Sequence, residues 1–94
     1  MRDPIELCES ILKAEGFKDW RAEWSKASPS ICLRKGKRIL LRHNITDQYE
    51  WQMQEEVIHE IAHIRTEGDK MHGRMFYREY VMLLTRYIVD EVPE

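Results

Sequence analysis

His59 and His63 stand four residues apart with Glu60 beside the first, spelling H-E-x-x-H. On a helix that spacing stacks the two imidazoles one turn apart on one face, so both can grip a single metal ion. Glu60 is offset around the helix, where it suits a general base acting on a metal-activated water better than a third ligand. The chemistry such a trio supports is zinc-dependent hydrolysis, above all of peptide bonds. A hydrolytic zinc takes three protein ligands and keeps one position open. The third must come from another element, and the sequence offers His72 and Glu79. His72 precedes Gly73 at the head of the last helical stretch. Glu79 lies seven residues further on, about two turns along and on roughly the same face. It can either bind the metal or receive the N–H of a ligand histidine.

The motif requires a helix with one apolar side, and residues 48–66 provide it. Met53, Val57, Ile61 and Ile64 fall on one stripe, while Glu56, His59 and His63 gather on the opposite side. Thr46 or Asp47 can cap this helix, with Glu50 reaching back to Asp47. Upstream, residues 31–34 and 38–43 flank Lys35-Gly36-Lys37 as a β-hairpin. Trp20, Ala22 and Trp24 alternate with charged and polar neighbours, the period of a half-buried strand, and Ser28-Pro29-Ser30 then breaks the chain. Asp3-Pro4 with Glu6 opens a first helix whose apolar face is Ile5, Leu7, Cys8, Ile11 and Leu12, stopped at Gly16. After the motif, Glu67-Gly68-Asp69-Lys70 reads as a turn, and Gly73 marks a second break. From Arg74 the chain is helical again, with Phe76, Tyr80, Leu83, Leu84, Tyr87 and Ile88 at helical spacing. These elements predict a single α+β domain over 1–94, with an N-terminal helix, a three-stranded mostly antiparallel sheet, the motif helix and a C-terminal helix.

His59-Glu60-Ile61-Ala62-His63 followed by His72-Gly73-Arg74-Met75-Phe76 resembles the H-E-x-x-H…H-G-x-x-F/W pattern of SprT-like zinc metallopeptidases. The resemblance covers residues 55–80 and implies a zincin-like fold, His59, His63 and His72 as zinc ligands, and Glu60 as catalytic base. The sequence departs from larger members in having no appended zinc ribbon or partner-binding tail, so a DNA-repair role is not the expectation. In length it is also similar to the minigluzincins, soluble metallopeptidases whose third ligand is a glutamate. On that resemblance Glu79 takes the place of His72. The histidine–glycine pair matches a motif, so His72 is the expected third ligand and Glu79 the alternative.

Composition narrows the remaining possibilities. With 94 residues and 43% hydrophobic content the chain is long enough for one core and too apolar for a disordered segment. A net charge of −2 gives no global attraction to nucleic acid. The basic hairpin of Arg34, Lys35, Lys37, Arg38 and Arg42 has no interleaved aromatic residue, so a solvated hairpin is expected before a nucleic-acid patch. Cys8 and Cys32 are expected as free thiols of a reducing compartment, with one disulfide as the alternative. The longest aliphatic run, Val81-Met82-Leu83-Leu84, is far short of a membrane span, and Met1-Arg2-Asp3-Pro4 lacks the apolar core of a signal peptide, so a soluble cytoplasmic protein is expected. Trp20, Trp24 and Trp51 are expected in the core, and His43 at the surface or in the core. Tyr77, Tyr80 and Arg74 are candidates to stabilise an oxyanion, with helix packing or surface roles expected first. The expected partner is a peptide or protein substrate paired as an extended strand along the sheet edge. Two alternatives compete: a catalytically silent zinc-binding interaction module, and a latent peptidase whose acidic tail, residues 90–94, folds back on the metal.

Overall fold

Asp3 starts the first helix as its chemistry requires, its carboxylate accepting the Ile5 N–H at 2.9 Å while Pro4 occupies the first turn. This helix, α1 (Pro4–Ala14), ends in a Schellman closure. The Gly16 N–H donates to the Lys13 carbonyl at 3.1 Å and the Phe17 N–H to that of Leu12 at 2.8 Å. Gly16 has φ +89°, the left-handed conformation that the closure demands and glycine adopts without steric cost. The computed structural model describes residues 2–26, 29–66 and 72–88. The expected turn over 67–70, the acidic tail over 90–94 and Ser28 of the expected break lie outside the described residues.

Three short strands follow, β1 (Arg21–Trp24), β2 (Ile31–Leu33) and β3 (Arg38–Leu41), in the order β1-β3-β2. The hairpin is present as the antiparallel β2–β3 pair, with Cys32 opposite Ile39. β1 lies on the other side of β3 and runs parallel to it, Ala22 opposite Ile39, so the sheet is mixed. In the hairpin turn it is Lys37, at φ 52°, that takes the left-handed conformation, with its N–H on the Arg34 carbonyl at 3.1 Å. Ala22, Ile39 and Leu41 turn inward, and their strand neighbours stay in or near solvent.

The motif helix, α2 (Glu50–Ala62), is shorter than residues 48–66 because a 3-10 turn borders it at each end, Ile45–Asp47 before and Ile64–Thr66 after. Thr46 and Asp47 lie inside the first of these turns and do not cap α2. Tyr49 is the N-cap residue, and the Gln52 side chain accepts its N–H at 3.1 Å. The final helix, α3 (Arg74–Tyr87), buries Phe76 and Leu83. α2 is the central element: α1 packs on one side, α3 on another, and the sheet lies against its apolar stripe. Met53, Val57, Ile58 and Ala62 are fully buried and Ile61 nearly so, in one core with Cys8, Ile11, Ile39 and Leu83. The tryptophans divide: Trp20 packs against the core, whereas Trp24 and Trp51 are 46% and 56% exposed. Among the described residues no helix is long and apolar enough to cross a membrane.

Candidate metal centre

The apolar stripe of α2 fixes which way the opposite face points, and His59 and His63 stand on that face, half-buried. His72, two residues before α3, meets them from the other side. One ligating atom from each of the three histidines lies within 4.8 Å of the other two, a spacing that one metal ion can bridge. Phe76 forms the floor of this cluster. Its ring lies 4.6 Å from those of His63 and His72 and 5.0 Å from that of His59, centroid to centroid, and it is almost fully buried. The aromatic residue four positions after His72 thus holds three imidazoles against an apolar wall.

The electrostatics suit a cation. Burial, then the neighbouring His59 and His72 and the charge of Arg34, hold the His63 pKa down at about 4. Burial and the proximity of His72 also lower that of His59. Both imidazoles are therefore neutral at pH 7, with lone pairs free to coordinate. Glu60 is buried, its carboxylate 4.0 Å from His59 Nε2. Burial, and secondarily the charge of Glu56, push its pKa up to about 7, the range of a group that accepts and returns a proton near neutrality.

Glu79 is placed elsewhere. Its carboxylate receives Arg65 at 2.7 Å, and it is absent from the described group of residues able to share a metal. His43 is exposed and apart from the cluster. Tyr80 stands beside His59, ring centroids 5.8 Å apart, with the Glu55 carboxylate acting on its hydroxyl. Burial and that carboxylate push the Tyr80 pKa up to about 12. Tyr77 reaches His72, at 6.3 Å between ring centroids, and is half exposed. A cleft of about 420 Å³ opens beside His59 and Glu60, walled by Trp51, Glu55, Glu56, Arg42 and Tyr80.

The basic hairpin is largely spent on internal pairs. Arg42 grips Glu56 through two 2.8 Å hydrogen bonds, and Ser30 adds a third at 2.6 Å. Arg38 pairs with Glu23 and Lys37 with Asp19. Arg34 donates to the backbone carbonyl of His63. Both cysteines are free: Cys8 is buried, with burial pushing its thiol pKa well up, and Cys32 is half-buried, pushed up to about 11. Such thiols stay protonated and inert.

An α+β fold whose central helix and the segment entering α3 bring three histidines together is the class of molecule these features define. Among solved structures, the chain is similar to the crystal structure of the metallopeptidase zymogen of Pyrococcus abyssi abylysin, at 22% identity and a TM-score of 0.62, covering 90% of this chain and 95% of that one. That likeness establishes the α+β fold alone. No protein-family model and no curated protein matches the sequence.

Proposed function

We propose that the protein is a zinc-dependent peptidase in which His59, His63 and His72 hold the metal and Glu60 is the catalytic base. The observation that carries this reading is the convergence of one ligating atom from each of three histidines within 4.8 Å, beside the buried carboxylate of Glu60. Neutral imidazoles favour zinc and its first-row neighbours over calcium or magnesium. When bound, zinc supplies a Lewis acid that acidifies a water and polarises a carbonyl. Glu60 takes a proton from the attacking water and passes it to the departing amine, and its low-dielectric setting keeps its basicity matched to that exchange. Phe76 keeps the three rings in register. The engagement of Glu79 with Arg65 favours His72 as third ligand, in the pattern of the SprT-like peptidases. The substrate on this reading is a peptide or protein, the compartment cytoplasmic, and the whole chain one domain.

Purified protein should bind one equivalent of zinc and cleave an internally quenched peptide. Glu60→Gln should keep the zinc and lose at least about a hundredfold in kcat, the scale of general-base catalysis. His63→Ala should lose zinc and hydrolysis together. Undiminished turnover by Glu60→Gln would remove Glu60 from the mechanism. A latent form is a second reading, supported by the description of the similar abylysin structure as a zymogen. It expects zinc-loaded protein to be inactive until residues 90–94 are removed.

A further inference from the structure

Trp51, Glu55 and His59 are spaced four residues apart along α2 and all line the same cleft. Side chains at that spacing share a helix face. With a rise of 1.5 Å per residue, Glu55 stands about 6 Å and Trp51 about 12 Å along the axis from His59. The three form a row that starts at the histidine cluster and runs toward the helix N-terminus.

The charge in this row is uneven. Among the described residues Arg42 is the one Lys or Arg lining the cleft, and Glu56 holds its guanidinium through both carboxylate oxygens. Among the described residues Glu55 makes no ion pair, and the group its charge acts on across the cleft is the neutral Tyr80 hydroxyl. Glu55 is exposed, and one turn away the Trp51 indole is more than half exposed. A carboxylate with no cation beside an open aromatic face is the composition of a site for a long-stemmed cation. Its methylenes cover the ring, and its charge meets both the π-face and the carboxylate.

We propose that Trp51 and Glu55 form the specificity subsite of the cleft, taking a lysine or arginine side chain of a peptide whose backbone lies across the histidine cluster. The proposal rests on the peptidase reading above and adds the substrate class to it. An acidic side chain at this place would face Glu55. An uncharged one would gain the indole contact alone.

The test uses an alanine-based, internally quenched heptapeptide in which a single lysine is moved position by position, with norleucine and glutamate counterparts. Wild-type protein should prefer lysine over norleucine at one position by about tenfold in kcat/KM, the sum expected from one ion pair and one cation–π contact. Glu55→Gln should lower kcat/KM for the lysine peptide far more than for the norleucine peptide, erasing most of that preference. Trp51→Ala should act on KM for the lysine peptide more than on kcat, because the ring lies away from the reacting bond. Equal handling of lysine and norleucine, or equal loss on both in Glu55→Gln, overturns the subsite. Binding of fluorescein-labelled lysine and norleucine peptides to zinc-loaded Glu60→Gln protein separates the subsite from the activity. Glu55-dependent preference for lysine in binding, without any hydrolysis by wild type, upholds the subsite and defeats the peptidase reading. Hydrolysis without a lysine preference does the reverse, and binding of neither peptide defeats both.

Discussion

His63 is held by more than its own helix. α2 ends at Ala62, and the His63 N–H turns to the Glu60 carbonyl at 3.2 Å, the tighter closure of a terminating helix. Its own carbonyl would be an orphan at that end. It receives the Arg34 guanidinium and, at 3.3 Å, the Thr66 N–H. Arg34 therefore reaches from the hairpin to fix the backbone of one proposed ligand. In the sequence Arg34 is one more charge of a basic hairpin, and its acceptor is a backbone carbonyl, a group every residue carries, so nothing in the composition marks the pair. Arg34→Met is expected to weaken zinc affinity about tenfold, the low end of what ligand-orienting contacts contribute. Competition with a chromophoric chelator measures this, with far-UV circular dichroism confirming the fold. Wild-type affinity in the variant would mean that α2 and Phe76 hold His63 unaided.

Between elements, the principal polar joint is Glu15 at the end of α1. Its side chain is only 2% exposed and accepts Arg65 at 2.8 Å from the 3-10 turn after α2, together with Arg86 and the Tyr87 hydroxyl from α3. Arg65 also donates to the Glu15 carbonyl at 2.8 Å and stacks on Phe17 at 4.6 Å. Burial alone would raise the Glu15 pKa, but these hydrogen bonds outweigh it and hold the value at about 2, against 4.5 for a free glutamate. A carboxylate whose pKa falls on folding adds stability that is full above pH 4.5 and lost as pH drops toward 2. After discounting for partly exposed arginines, Glu15→Gln should cost about 2 kcal/mol at pH 7. The difference from wild type should shrink between pH 4.5 and 2 in urea unfolding; a pH-independent gap would assign the loss to packing. The joint was not legible in sequence, because its partners are up to 72 residues apart. What was legible is local: the Asp3 cap, the Gly16 stop, the hairpin, the apolar stripe of α2 and the spacing of the three histidines. Alternation identified β1 as a strand but carries no information about its partner, so the parallel pairing with β3 emerges only in three dimensions. The same alternation places Trp24 inward, yet β1 buries only Ala22, since a four-residue strand at the sheet edge has little above it to cover a tryptophan. Trp51 sits in the first turn of α2 on the cleft side, where apolar character serves the surface.

Across the molecule, the proposed metal centre and the hydrophobic core are separate constructions that share Phe76. The core joins α1, the sheet, α2 and α3 through Ile11, Ile39, Met53, Ile61 and Leu83, and none of these contacts requires a metal. Metal-free protein should therefore stay folded, unlike small domains whose only core is their zinc site. On the proposed assignment zinc would be held by groups from α2, its C-cap residue and the segment entering α3, so its binding should still stabilise the whole. At free zinc about a hundredfold above Kd the gain is about 2.7 kcal/mol, which for a chain of this size corresponds to a Tm rise of about 10–20 °C. Chelation should reverse that rise and leave the far-UV spectrum unchanged. The same measurement separates the two candidates for third ligand. His72→Ala, altering an exposed side chain, should leave the metal-free Tm nearly unchanged and abolish most of the zinc-induced rise. Glu79→Gln removes a partner of Arg65, so it should lower the metal-free Tm slightly and keep the rise intact. The opposite pattern, a rise that survives without His72 and disappears without Glu79, would transfer the ligand role to Glu79 and require Arg65 to release it when the metal binds.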